Sequence, residues 1–114
     1  MSELRIGERI VDGSCIVTAD TLITDWQPAA PEQMSAGDLE LLWPLAPQIV
    51  LLGSPASGAA VSLSVRAACA GHGIALEVMD LGAACRTFNI LVQEERRVAA
   101  ALFLEKGRKQ KKAT

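Results

Sequence analysis

Tyrosine is missing from this chain of 114 residues, and the other aromatics are sparse, with two Trp and two Phe. A core built under that limit must be assembled from Leu, Val, Ile and Ala. Half of the chain is hydrophobic, which is enough to fold one domain without disulfide or metal staples. Charge of one sign is lacking too. The formal net charge is −2, which excludes a basic nucleic-acid-binding body. The three cysteines, Cys15, Cys69 and Cys85, are odd in number and widely spaced, so they offer neither a disulfide framework nor a zinc pattern. They read as reduced, buried thiols. His72 is the single histidine, and a catalytic triad or a His-based metal site would have to rest on it alone. Its place between Gly71 and Gly73 reads instead as a helix cap or turn. No apolar run approaches the ~20 residues that span a bilayer, and the first residues carry no signal or transit character. The expectation is a cytoplasmic protein with no membrane span, no metal and no cofactor.

What is present is an alternation of short elements. Residues 9–17 read as a hairpin, Arg9-Ile10-Val11 turning at Asp12-Gly13 into Cys15-Ile16-Val17, because Gly supplies the positive φ that such turns need. A second turn near residues 18–20 leads to Thr21-Leu22-Ile23-Thr24. Together these predict a half-exposed antiparallel meander. Pro28 and Pro31 mark an irregular connection. Ser35 with Asp38 has the spacing of a capping box, followed by a short helix carrying Leu39, Leu42 and Trp43 inward and stopped by Pro44 and Pro47. Then come a strand over 48–52 ending at Gly53, a helix over 58–70 closed by Gly71 and Gly73, a strand over 74–78, a helix over 80–93 and a strand over 97–104. The last strand is apolar on both faces, which belongs in the middle of a layered sheet. Strand and helix in turn predict an α/β fold in which one domain covers residues 1–105. The run from Lys106 to Thr114 is a basic, disordered tail.

Several chemical motifs fail on inspection. Gly53-Ser54-Pro55-Ala56-Ser57-Gly58 follows a strand and opens a helix, as a phosphate loop does, but Ala59-Ala60 stand where Lys and Ser or Thr are required. A generic anion at that turn stays open. No Gly-rich dinucleotide fingerprint exists. Cys85-Arg86 lacks the arginine six residues on that a phosphate-cradling cysteine loop needs. The helix from Asp80, a plausible N-cap, says more. Leu81, Ala84, Cys85, Phe88, Leu91 and Val92 share an apolar face, and Gly82, Arg86, Asn89 and Gln93 form a narrow polar stripe beside it. Ile90 and Ala83 lie on the far side, where solvent would favour charge. A second cover is therefore expected there, either the meander or another chain. Cys85 faces the core and is a poor nucleophile. Arg86 has two readings. It holds a carboxylate or phosphate with Asn89, or it pairs within the fold with Asp80, Glu94 or Glu95, and the second is preferred.

Three stretches, Glu77-Val78-Met79-Asp80, the run from Gly82 to Asn89 (Gly-Ala-Ala-Cys-Arg-Thr-Phe-Asn), and Arg96-Arg97-Val98-Ala99-Ala100-Ala101-Leu102, closely resemble the Mth-like domain family. The Ile-Val-Leu-Leu-Gly53 strand end sits in the expected order, and the resemblance covers nearly the whole chain. Eukaryotic relatives in that family include a mitochondrial respiratory complex I assembly factor and an adipogenesis-associated protein. The resemblance implies a three-layer fold with a mixed central sheet, flanking helices and a small antiparallel β meander. It does not supply an enzymatic activity. The chain departs from the family at Leu81, where members often carry Thr, and at Ser54-Pro55, where they carry a small Gly-rich segment.

By that resemblance the expected function is a non-catalytic interaction or assembly-factor-like protein. Its partner would be an unidentified protein, respiratory-complex related, with a homodimer through the surface near Ile90 as a further option and no nucleic acid. Such analogy is associational. The alternative is a small-molecule or anion-binding protein, with or without a catalytic step. Its ligand-binding residues would be Gly53, Ser54, Gly58, Gly82, Arg86 and Asn89, near the start of the 80–93 helix.

Overall fold

A computed structural model describes residues 4–6, 9–11, 13–26, 28, 30–55 and 60–104. Gly58 and the basic tail from Lys106 onward lie outside the described residues. The strands are β1 (Leu4–Ile6), β2 (Arg9–Val11), β3 (Cys15–Val17), β4 (Leu22–Ile23), β5 (Ile49–Ser54), β6 (Ala75–Asp80) and β7 (Val98–Leu102). Helix α1 is Leu63–Gly71 and α2 is Leu81–Gln93, and two 3₁₀ segments span Pro31–Gln33 and Ala36–Leu45. Five strands form the main sheet in the order β4-β3-β7-β5-β6, and β1 and β2 form a separate antiparallel ribbon.

The sheet is mixed because β7 has different neighbours on its two sides. It runs parallel to β5, with Ile49 opposite Val98 and Leu52 opposite Ala101, and antiparallel to β3, with Cys15 opposite Leu102. All five residues of β7 are buried, as its doubly apolar sequence requires of a central strand. Side chains alternate across it. Ala99 and Ala101 join Val50, Leu52 and Ile16 on one face, under α1 and the longer 3₁₀ segment, which supply Val65, Cys69, Leu39 and Leu42. Val98, Ala100 and Leu102 join Leu51, Cys15 and Val17 on the other, under Leu81 and Ala84 of α2. That is the three-layer α/β arrangement the resemblance implies. Trp26 reinforces the first face, tilted against Phe103 with ring centroids 5.3 Å apart.

The β-hairpin expected at Asp12-Gly13 does not form. β2 pairs with β1 (Leu4 opposite Val11), while β3 pairs with β4 and β7. The apolar triplet of β3 explains the choice, since it is buried throughout in the main sheet and would be left half-exposed in a free meander. The turn after it, at residues 18–21, forms as read. The Thr18 N–H donates to the Thr21 carbonyl at 2.8 Å, and the hydroxyls of Thr18 and Thr21 both donate to Asp20 Oδ1 at 3.2 Å.

The 3₁₀ segment starts where the capping box predicts, the Ser35 N–H and hydroxyl both donating to Asp38 Oδ2 at 2.8 and 3.1 Å. It runs through Pro44 rather than stopping there, since proline's fixed φ near about −65° falls within the 3₁₀ range. α1 begins later than the pattern suggests, since the Ser62 hydroxyl accepts the Val65 N–H and fixes the N-cap. Both α-helices end with the same pair of bonds. In α1, Ile74 N–H donates to Cys69 O and Gly73 N–H to Ala70 O. In α2, Arg96 N–H donates to Leu91 O and Glu95 N–H to Val92 O. The pattern needs one left-handed residue, which is Gly73 (φ +70) in α1 and Glu95 (φ +62) in α2.

A side chain with a Cβ is strained in that conformation by roughly 1 kcal/mol. Glu95→Gly is therefore expected to raise the unfolding free energy by about 1 kcal/mol, and Gly73→Ala to lower it by a similar amount. Urea denaturation of both variants checks the pair.

Candidate functional site

Two ends of the sheet carry polar groups. At the carboxyl ends of the parallel strands, Ser54 of β5 lies opposite Asp80 of β6. Asp80 ends its strand and begins the next helix, and its Oδ1 accepts the Ala83 N–H at 2.8 Å, the N-cap that the sequence predicts. The apolar face of α2 seats on the sheet as read. Leu81 and Ala84 are buried, and Cys85, Phe88, Leu91 and Val92 are half-buried against the same cluster.

Of the sequence-derived ligand-binding residues, Gly53, Ser54 and Gly82 lie at this end of α2, Arg86 folds back toward it, and Asn89 lies further along the helix. Gly53 lies beneath the helix, where an added Cβ would stand 2.6 Å from Ala84 Cβ and 3.1 Å from Leu102 Cδ2. Ser54 is buried and bonded. Gly82 is half-buried, and a Cβ there would meet Arg86 Nη1 at 3.3 Å and Asp80 Oδ1 at 3.5 Å. The guanidinium thus folds back one helical turn over Gly82. Arg86 and Asn89 are exposed. The preferred expectation for Arg86 is corrected, because among the described residues no ion pair joins it to Asp80, Glu94 or Glu95. Pulled back over Gly82 at the start of α2, the guanidinium is turned away from the two glutamates at the far end. The second cover expected on α2 is not supplied by the described residues either, since Ile90 stays 55 % exposed.

Burial pushes all three thiols up. Cys15 is pushed up to about 11, first by desolvation and then by the neighbouring Cys85. Cys69 rises through burial alone. Cys85 rises through burial, partly opposed by the Arg86 charge. Protonated thiols are weak nucleophiles and weak metal ligands. Among the described residues no group of three His, Cys, Asp or Glu side chains could hold a metal ion.

The opposite, amino end of the strands holds residues that the sequence reading did not treat as a site. Trp43 packs against the first core face as read, but it is only half-buried, and its indole stacks on the His72 imidazole at 3.8 Å and 9°. His72 caps α1 as read, with Nδ1 3.0 Å from the Ala68 carbonyl oxygen. Arg97 comes from the segment preceding β7, and its Nε donates to the Ala46 carbonyl at 2.8 Å. No sequence motif connects these residues, which come from three separate strand and helix ends.

Comparisons with known proteins agree with the fold. The model of the family described as "Protein of unknown function (DUF498/DUF598)" matches residues 2–103. The zebrafish (Danio rerio) protein named NADH dehydrogenase [ubiquinone] 1 alpha subcomplex assembly factor 3 is 35% identical over 100 residues, covering 86% of this chain and 57% of that protein. The chain thus spans little more than half the length of that curated relative. Among solved structures, an NMR structure of a Xanthomonas campestris protein superposes with a TM-score of 0.83 at 34% identity, covering 91% of this chain and 79% of the other. A Bordetella pertussis Mth938-like domain superposes with a TM-score of 0.75 at 22% identity, covering 92% and 82%, a likeness of fold alone. Among the described residues no helix is long and apolar enough to cross a membrane.

The raised Cys15 pKa makes a pH dependence. An unfolded thiol ionises near 9.0, whereas the folded one holds its proton to about 11. The associated stability is fully present below pH 9 and is lost as pH rises through 11. Denaturation midpoints are expected to fall across that window by the equivalent of about 3 kcal/mol, and the Cys15→Ala variant is expected to show a visibly shallower decline.

Proposed function

The chain belongs to the DUF498/DUF598 family of proteins, and from that premise we propose that it acts as a non-catalytic interaction protein in the assembly of an NADH dehydrogenase. The observation that carries the proposal is the 35% identity, across 86% of the chain, to a protein named as an NADH dehydrogenase assembly factor. The surface we assign to the partner is the outer side of α2. Ile90 is 55 % exposed there, beside the exposed Arg86 and Asn89. An apolar anchor rimmed by polar and cationic side chains is the composition of a protein-binding patch. The net charge of −2 favours a protein partner over nucleic acid. Raised, unpaired thiols at Cys15, Cys69 and Cys85 fit a reducing compartment such as the cytoplasm.

A second reading is favoured by one observation, the Arg86 guanidinium without an ion pair among the described residues. In that reading Arg86 binds a small anion, with Gly82 making room for it and Asn89 orienting it. Gly53, Ser54 and Gly58 belong to the same proposed site.

Crosslinked affinity purification of the tagged full chain from its native cells, with quantitative mass spectrometry, tests the first reading. NADH dehydrogenase subunits are expected to be enriched, and Ile90→Glu is expected to cut their recovery by about tenfold or more, the cost of losing one interface anchor. The variant is expected to remain folded, because an exposed substitution shifts stability by only about 0.5 kcal/mol. Recovery of second copies of this chain alone would contradict the proposal and assign the face to self-association. Loss of recovery in Arg86→Ala with none in Ile90→Glu would favour the anion reading.

A further inference from the structure

Three strands begin side by side at the amino end of the sheet, and the residue just before each one lines a single cavity. Gln48 precedes β5, Ile74 precedes β6 and Arg97 precedes β7. With Trp43, Pro47 and His72 they line an open cleft of about 370 Å³, a volume within the ordinary range for small organic ligands. We propose that this cavity binds a small organic oxyanion with a flat apolar body, its carboxylate or phosphate held by Arg97 and Gln48.

The walls are held in place before any ligand arrives. The Arg97 backbone N–H donates to Gln48 Oε1 at 3.0 Å, and the Gln48 and Ile49 N–H groups donate back to the Arg97 carbonyl at 2.7 and 3.3 Å. The Arg97 Nε bond to the Ala46 carbonyl at 2.8 Å fixes the plane of the guanidinium. That carbonyl belongs to a left-handed alanine (φ 50, ψ 52), a conformation retained where the surroundings demand it. The Nη groups carry no hydrogen bond or ion pair among the described residues. A guanidinium anchored through Nε, with its Nη atoms open, is arranged to fork two oxygens of one anion. Since Gln48 uses Oε1 as acceptor, its amide nitrogen is the part left to donate to the same anion.

The aromatic wall is equally constrained. The Ala68 carbonyl can only accept, so the 3.0 Å contact requires the His72 proton on Nδ1 and leaves Nε2 open. Stacking against Trp43 holds the imidazole in that orientation. Pro47 and Ile74 complete an apolar side suited to a ring. The charge balance also suits an anion. A smaller adjoining cavity of about 200 Å³ shares Pro47 and Arg97 and adds Arg96. Its one acid, Asp20, is engaged by the Thr18 and Thr21 hydroxyls. The site lies at the opposite end of the strands from Arg86 and does not depend on the assembly role proposed above.

Titration of the ¹⁵N-labelled full chain with benzoate, phenyl phosphate, acetate and inorganic phosphate, followed by NMR, tests this. Benzoate or phenyl phosphate is expected to saturate in the millimolar range and to move the Trp43 indole, His72, Gln48 and Arg97 signals together. Whichever of the two binds tighter identifies the oxyanion. Acetate and inorganic phosphate, which lack the ring, are expected to bind more weakly. Arg97→Gln is expected to weaken binding by about tenfold or more. Gln48→Glu keeps the oxygen that accepts the Arg97 N–H while placing a negative charge beside the anion, so it serves as the fold-preserving variant with the same expected loss. Arg86→Ala should leave binding unchanged. The proposal is overturned by the absence of saturable shifts with all four probes, by equal binding of acetate and benzoate, by undiminished binding to folded Gln48→Glu, or by shifts centred on Gly82 and Arg86.

Discussion

Helix α2 seats on the sheet over a residue that has no side chain. Gly53, near the end of β5, lies directly beneath Ala84, and a Cβ at that point would sit 2.6 Å from the alanine methyl. A helix can come this near a strand only where glycine and alanine face each other. The seat fixes the height of α2 above the sheet. From that height follows the burial of Leu81 and Ala84 against Leu51, Ala100 and Leu102. The same seat puts the Asp80 cap at the end of β6 and leaves Gly82, Arg86 and Ile90 on the outer side.

The rest of the fold extends that economy of side chains. With no tyrosine to spend, the central strand uses three successive alanines, and they allow covering layers on both faces. β7 takes neighbours of opposite direction, which joins the parallel β5–β6 pair to the antiparallel β3–β4 hairpin in one sheet. A mixed sheet of this kind has two unlike ends. At the carboxyl end, β6 leads directly into the start of α2. At the amino end, strand beginnings are tied to one another through Gln48 and Arg97, and a cavity opens between them. The family places this chain beside a protein named for NADH dehydrogenase assembly. The outer side of α2 and the cavity at the amino end are two surfaces with chemistry to offer.

Much of the fold was legible because its signals are local. The N-cap at Asp80, the His72 cap, the Ser35–Asp38 box and the doubly apolar last strand each follow from a few adjacent residues. The three-layer architecture followed from the alternation of strand and helix and from the resemblance. The misplaced hairpin shows where local signals mislead. Asp12-Gly13 is a sound turn sequence, but burying Cys15, Ile16 and Val17 beside β7 outweighs a turn preference. The candidate site was legible only in part. The helix pattern put Gly82 and Arg86 on one stripe, and the structure brings them together. It could not reveal that Arg86 meets no acidic partner among the described residues, because three acids were within plausible reach along the chain. The cavity at Arg97 was hidden for a different reason. Its residues share no motif and meet only because three strands start in register.

The central claim is that the Gly53–Ala84 contact determines how α2 sits. A double-mutant cycle of Gly53→Ala and Ala84→Gly, measured by urea denaturation, tests it most directly. Gly53→Ala should lose about 2 kcal/mol or more through overpacking, and Ala84→Gly about 1 kcal/mol through helix propensity. Combined, the second change makes room for the first, so the double variant should be more stable than the sum of the two losses by at least about 1 kcal/mol. Strict additivity, or a Gly53→Ala protein as stable as the wild type, would contradict the account.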